Sequence, residues 1–134
     1  MAAVTGTPWV KPLRRLPMWL ALWFTGIAAV VVVCLVPGQD LPRVPLSDKV
    51  EHALAFALLA ASAVQLFVRG LPLAVVAAGL LGLGVAIEFA QAAFTTTRAM
   101  EAGDVAADAV GIAAGMLVAW TPLRDVLLKV AGSR

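Results

Sequence analysis

The chain has 134 residues, of which 62% are hydrophobic and only 13% charged, and its mean hydropathy is +0.96. Soluble domains are about a quarter charged, and a chain this short could not cover so much apolar surface in water, so an ordinary soluble enzyme and a disordered tail are both excluded. Ten Lys and Arg against eight Asp and Glu give a net charge of +2, with no basic stripe or aromatic platform of the kind that binds nucleic acid.

The first apolar run covers 17–36, twenty residues without a charge. At about 1.5 Å per residue it is long enough to cross a bilayer core of about 30 Å. Lys11, Arg14 and Arg15 precede it, but no small-residue cleavage site follows, so it reads as a retained helix rather than a secretory signal. Cys34 is the only cysteine and reads as apolar packing; an intrachain disulfide is excluded. Pro37, Pro42 and Pro45 then interrupt any helix. The second span, 50–68, is introduced by Asp48 as a helix cap with Glu51 three residues on, in a capping-box pattern. Arg69-Gly70 makes a turn, and Pro72 suits the first turn of a third span, 72–94. The fourth span, 104–121, is closed by Pro122. Residues 123–130 are expected to form a short amphipathic surface helix. The fold class expected is therefore all-α: a single membrane domain of four transmembrane helices.

Orientation follows from Lys and Arg in alternate segments. Lys11, Arg14, Arg15, Arg69, Arg124, Lys129 and Arg134 fall on one side, and Arg43, Lys49 and Arg98 on the other. The basic side is expected to be cytoplasmic, with both termini there, in a bacterial inner membrane.

The acidic residues have the opposite bias. Asp40, Asp48, Glu51, Glu88, Glu101, Asp104 and Asp108 all fall in or beside the outer half of the spans, and only Asp125 falls at the cytoplasmic end. His52, the single histidine, shares that outer half with Lys49, Gln91 and Arg98. Asp48 and His52 are four apart, on one helical face, with Phe56 one turn deeper. Glu88 and Gln91 are three apart. Asp104, Asp108, Gly111 and Gly115 follow one stripe, whose glycines let a neighbouring helix approach closely. Ionisable residues inside a span are expensive, and are functional candidates by default.

His52 and Glu88 are the candidates for proton handling. Asp48, Lys49, Gln91, Arg98, Asp104 and Asp108 are candidates for ligand binding. Each has a structural alternative. Glu88 would pair with Lys49 or Arg98, His52 would bond Asp48, and Asp48 and Asp104 would be helix caps. One histidine among carboxylates is chemically able to hold a hard cation or zinc, but the spacing matches no dedicated metal motif and no metal is assigned. No phosphate loop, dinucleotide glycine pattern or nucleophile elbow occurs, so no cofactor is expected.

The pattern Asp48-Lys49-x-x-His52-x-x-x-Phe56, then Glu88-x-x-Gln91, then Arg98, Asp104-x-x-x-Asp108-x-x-Gly111 and Gly115, resembles the VanZ-like family of small membrane proteins. The resemblance covers roughly residues 48 to 115. It implies a cell-envelope role, the founding type being linked to reduced susceptibility to the glycopeptide antibiotic teicoplanin, without an agreed reaction. Asp108 departs from the pattern, which often has Asn there; an acid at this place adds negative charge or calls for a proton or cation beside it. The expected function is an outer-leaflet pocket for an amphiphilic or anionic envelope molecule such as a lipid-linked precursor. A proton-coupled or lipid transporter and a structural adaptor are the alternatives.

Overall fold

The computed structural model describes residues 8–42, 45–96 and 100–134. Four long helices dominate: α1 (Leu16–Leu35), α2 (Asp48–Leu66), α3 (Leu71–Phe94) and α4 (Ala102–Met116). A 3-10 turn, Leu117–Trp120, prolongs α4, and a second, Pro122–Asp125, leads into α5 (Val126–Ala131). The domain is all-α, with no strand among the described residues. With the extension of α4 through Trp120, all four long segments have the length and hydropathy to cross a membrane.

Burial is inverted relative to a water-soluble bundle. Leu22, Phe24, Leu58, Phe89, Val110 and Leu117 point outward and are more than half exposed, whereas His52, Glu88, Gln91, Asp104 and Asp108 are buried. A surface so rich in large apolar side chains is stable against lipid tails and not against water. The fold is that of a multi-pass membrane helix bundle.

The tightest pair is α2 with α4, which also packs on α3, while α1 lies against α2 and α3. Glycine makes the first contact. A Cβ on Gly111 would run into the carbonyl oxygen of Ala53, and one on Gly115 into the carbonyl oxygen of Ala57. The added carbon at Gly115 would also lie 2.7 Å from Ala60 Cβ. In lipid, association rests on such close packing, because the tails are as apolar as the helices.

Residues 9–14, the end of α2 and the C-terminal residues meet at one end of the bundle. The Lys11 N–H donates to the Leu66 carbonyl (2.8 Å), the Arg134 N–H to Pro12 (3.0 Å), and the Arg14 N–H to Gly132 (2.9 Å). Gln65, deep in α2, donates to the Leu123 carbonyl (3.0 Å) and accepts from the Leu127 N–H (3.1 Å), pinning α5. Lys11 Nζ reaches Asp125 at 2.9 Å and the Val64 carbonyl at 2.7 Å.

Four local expectations are corrected. Ser47, not Asp48, caps α2, its hydroxyl accepting from the Val50 N–H; Asp48 is the first helical residue. The α-helical part of the fourth span is Ala102–Met116 rather than 104–121, since the last turn tightens to 3-10 before Pro122. The terminal surface helix is only Val126–Ala131, because Thr121 and Pro122 first build a 3-10 turn. Cys34 is half-buried rather than fully packed.

Two outcomes follow. Gly111→Ala should destabilise the protein by about 1–3 kcal/mol, the usual cost of overpacking. Gly79→Ala and Gly82→Ala, with nothing near the added carbon, should be neutral or stabilising by up to about 1 kcal/mol; reversible unfolding in mixed micelles measures all three. The Lys11 hydrogen bond, helped by Arg124, holds the Asp125 carboxyl below its ordinary range. A depressed folded pKa gives stability that is present above the unfolded value of about 3.9 and is lost as pH falls below it. The protection factors of amides in 126–131, corrected for the intrinsic pH dependence of exchange, should therefore hold level from neutral pH to about 4 and fall below it. Asp125→Asn should remove that acid-side step.

Candidate functional site

The polar residues gather at the end of the bundle opposite the termini, where α2 and α4 begin and α3 ends. His52 lies on the second turn of α2 and faces α4 because Gly111, one turn beyond Asp108, brings the two backbones together. Its Nδ1 lies 2.9 Å from Asp108 Oδ1, with both side chains buried. A carboxylate oxygen only accepts, so Nδ1 carries the proton and donates it. The other ring nitrogen, Nε2, faces Asp104 Oδ2 at 4.0 Å.

Asp108 has room because α3 carries Gly84 opposite it. A Cβ at Gly84 would collide with Asp108 Oδ2. Glu88, one turn further along α3, is fully buried, and its Oε2 accepts the Glu101 N–H at 2.9 Å. It thus caps the start of α4 from a different helix, a use of carboxylate that the dipole of α4 favours. Asp104 sits inside the first turn of α4 and does not cap it; Glu101 holds the cap position. Lys49 bridges Glu101 Oε2 (2.7 Å) and Asp104 Oδ1 (3.1 Å). Of the structural alternatives, Lys49 goes to Glu101 and Asp104 rather than to Glu88, and the imidazole Nδ1 of His52 goes to Asp108 rather than to Asp48. Glu101, which falls between matched positions of the sequence pattern, belongs to the cluster. Gln91 donates to the Cys34 carbonyl at 2.8 Å and joins α3 to α1. Arg98 lies outside the described residues.

Three buried atoms of this cluster have no hydrogen-bond partner among the described residues: His52 Nε2, Glu88 Oε1 and Asp108 Oδ2. Buried polar atoms are nearly always satisfied, so three orphans in one cluster make it the candidate site. One ligand atom each from Asp48, His52 and Asp104 lies within 4.8 Å of the others. No sequence spacing could have announced that trio, since its members come from two helices more than fifty residues apart.

A groove of about 210 Å³ opens between α1 and the head of α2. Its walls are Ala29, Val30, Val33, Ala55 and Phe56, and Asp48, Glu51 and His52 stand along its polar edge. A second cavity of about 330 Å³ lies at the terminal end beside Lys11, Arg69 and Arg124. Among the described residues all buried polar side chains belong to the first end; α2 continues inward with Phe56, Leu59, Ala60 and Ala63.

Fold and site together define a small polytopic membrane protein with a buried histidine–carboxylate cluster at one end, served by an apolar groove. No protein family model, curated protein or solved structure matches the chain.

Glu88→Ala should leave the Glu101 N–H uncapped, costing about 1 kcal/mol as lost caps do, and should speed hydrogen exchange at 102–105. Glu88→Gln keeps an acceptor oxygen and should cost less. Equal protection in all three proteins would refute the capping role.

Proposed function

We propose that this protein binds an amphiphilic molecule of the cell envelope, its apolar tail in the α1–α2 groove and its polar head at the histidine–carboxylate cluster. One observation carries the reading: the groove of aliphatic walls ends on Asp48 and His52, so one continuous surface offers both environments that an amphiphile needs. The resemblance of residues 48–115 to the VanZ-like family agrees with such an envelope role, and membership of that family is part of the proposal.

The chemistry of the head group follows from the charges. Lys49, the one cation described in the cluster, is held by two carboxylates. The cluster is otherwise rich in acceptors: the orphan atoms of Asp108 and Glu88 and the groove-lining carboxylate of Glu51. These suit a donor-rich head, such as the hydroxyls of a sugar on a lipid-linked precursor, better than a bare anion. The confinement of buried polar groups to one end favours a binding pocket over a proton path across the bundle. The excess of Lys and Arg at the terminal end supports a reading with that end in the cytoplasm of a bacterial cell and the cluster at the outer leaflet.

The test is photo-crosslinking in nanodiscs with a polyprenyl-linked sugar that carries a diazirine in its tail. Adducts are expected on residues 29–34 and 55–56. Ala55→Phe, which fills the groove, should cut them several-fold without lowering the melting temperature. Adducts spread evenly around the bundle would refute the groove. For orientation, in a Cys34→Ala background, an impermeant thiol reagent on intact cells should label a cysteine at Gln39 and not one at Ser133.

A further inference from the structure

We propose that His52, Asp104 and Asp48 form a binding site for a divalent transition-metal ion, zinc in first place, with Asp108 orienting the imidazole. This goes beyond the amphiphile reading and stands whether or not the groove holds a lipid.

Histidine geometry is the first support. Metal-bound imidazoles almost always donate their second ring N–H to a carboxylate or carbonyl, which fixes the tautomer and the ring plane. His52 is placed for that arrangement before any metal is considered: with Asp108 ionised and the imidazole neutral, Nδ1–H donates to Asp108 at 2.9 Å and the lone pair of Nε2 is turned toward Asp104. Nε2 is buried and has no hydrogen-bond partner among the described residues. The nearest group opposite is another acceptor, Asp104 Oδ2, at 4.0 Å. A neutral imidazole and an ionised carboxylate facing each other in a buried place call for a proton or a metal ion between them. Two ligands of a tetrahedral zinc ion, each about 2.0–2.2 Å from it, stand about 3.4 Å apart. A small side-chain rotation closes the difference.

The third ligand comes from the same helix. Asp48 is four residues before His52 and shares its face, and it brings a carboxylate oxygen within 4.8 Å of both other donors. One imidazole and two carboxylates suit zinc or a similar borderline ion, whereas calcium would prefer oxygens alone.

Charge is the independent support. Glu88, Asp104 and Asp108 are buried together at one end of the bundle, with Glu101 beside them and Lys49 spanning Glu101 and Asp104. Such a surplus of acid beside lipid is costly, and a divalent ion is the most compact way to offset it. Three protein ligands leave a fourth position. Since Asp48 and His52 also line the groove, that position opens toward it.

The experiment uses the full chain in nanodiscs, stripped with chelator and titrated with Co²⁺ and then Zn²⁺. One equivalent of Co²⁺ is expected to give the visible absorption of a four-coordinate ion, and Zn²⁺ should displace it. His52→Ala should abolish the signal. Asp108→Asn should retain one equivalent but weaken binding by about 10–100-fold, as loss of an orienting carboxylate does. Glu51→Gln should change neither. An absence of saturable binding, or binding that survives His52→Ala, overturns the proposal. X-ray absorption of the zinc-loaded wild type gives a second readout that needs no variant. Imidazole scattering supports the site, and an oxygen-only shell overturns it.

Discussion

The contact between α4 and α2 through Gly111 and Gly115 is the constraint on which the rest depends. With no side chain at either position, the α4 backbone rests on the carbonyls of Ala53 and Ala57. That closeness sets the distance between Asp108 and His52, which stand one turn nearer the polar end. Had α4 carried alanines there, the helices would stand apart and the imidazole would lose its carboxylate. A packing requirement in lipid thus fixes the geometry of a polar site. Gly84 repeats the logic on α3, where the missing Cβ makes room for the Asp108 carboxylate.

Burying several acids together requires that each be answered by a donor or a cation. The bundle answers most of them with groups from another helix. Glu88 of α3 takes the N–H that opens α4. Lys49 of α2 spans two acids of the α4 start. His52 of α2 takes Asp108. Each exchange ties two helices at the same end of the bundle, so the polar cluster also holds α2, α3 and α4 in register. What these exchanges leave over is three buried atoms without a hydrogen-bond partner among the described residues.

The four spans were legible in the sequence because length and apolar content decide them, and the glycine stripe of α4 was legible as a periodicity. That polar residues would converge at one end followed from counting helix ends. Their partners were not legible. Whether His52 meets Asp48 on its own helix or Asp108 on another depends on the rotation and separation of two helices, which a hydrophobic run does not encode. The same ambiguity hid the role of Glu88, since nothing local indicates that a carboxylate in one span will cap a helix thirteen residues later. Ser47 outcompeted Asp48 as a cap because the turn places its hydroxyl on the Val50 N–H. The expectation of cytoplasmic termini rests on charge asymmetry alone; the structure adds that residues 11–14 and 132–134 meet on one side of the bundle.

The two walls of the groove differ in stiffness. On one side stands α2, locked against α4 by backbone-to-backbone contact. On the other stands α1, joined to the bundle by isolated anchors: the Trp23 indole N–H on the Leu59 carbonyl (3.0 Å) and the Gln91 amide on the Cys34 carbonyl (2.8 Å). A guest of greater girth would therefore be accommodated by displacement of α1 alone, like a hinged shutter beside a fixed frame. Selectivity for tail thickness would be lax, while discrimination at the rigid α2–α4 rim would stay strict.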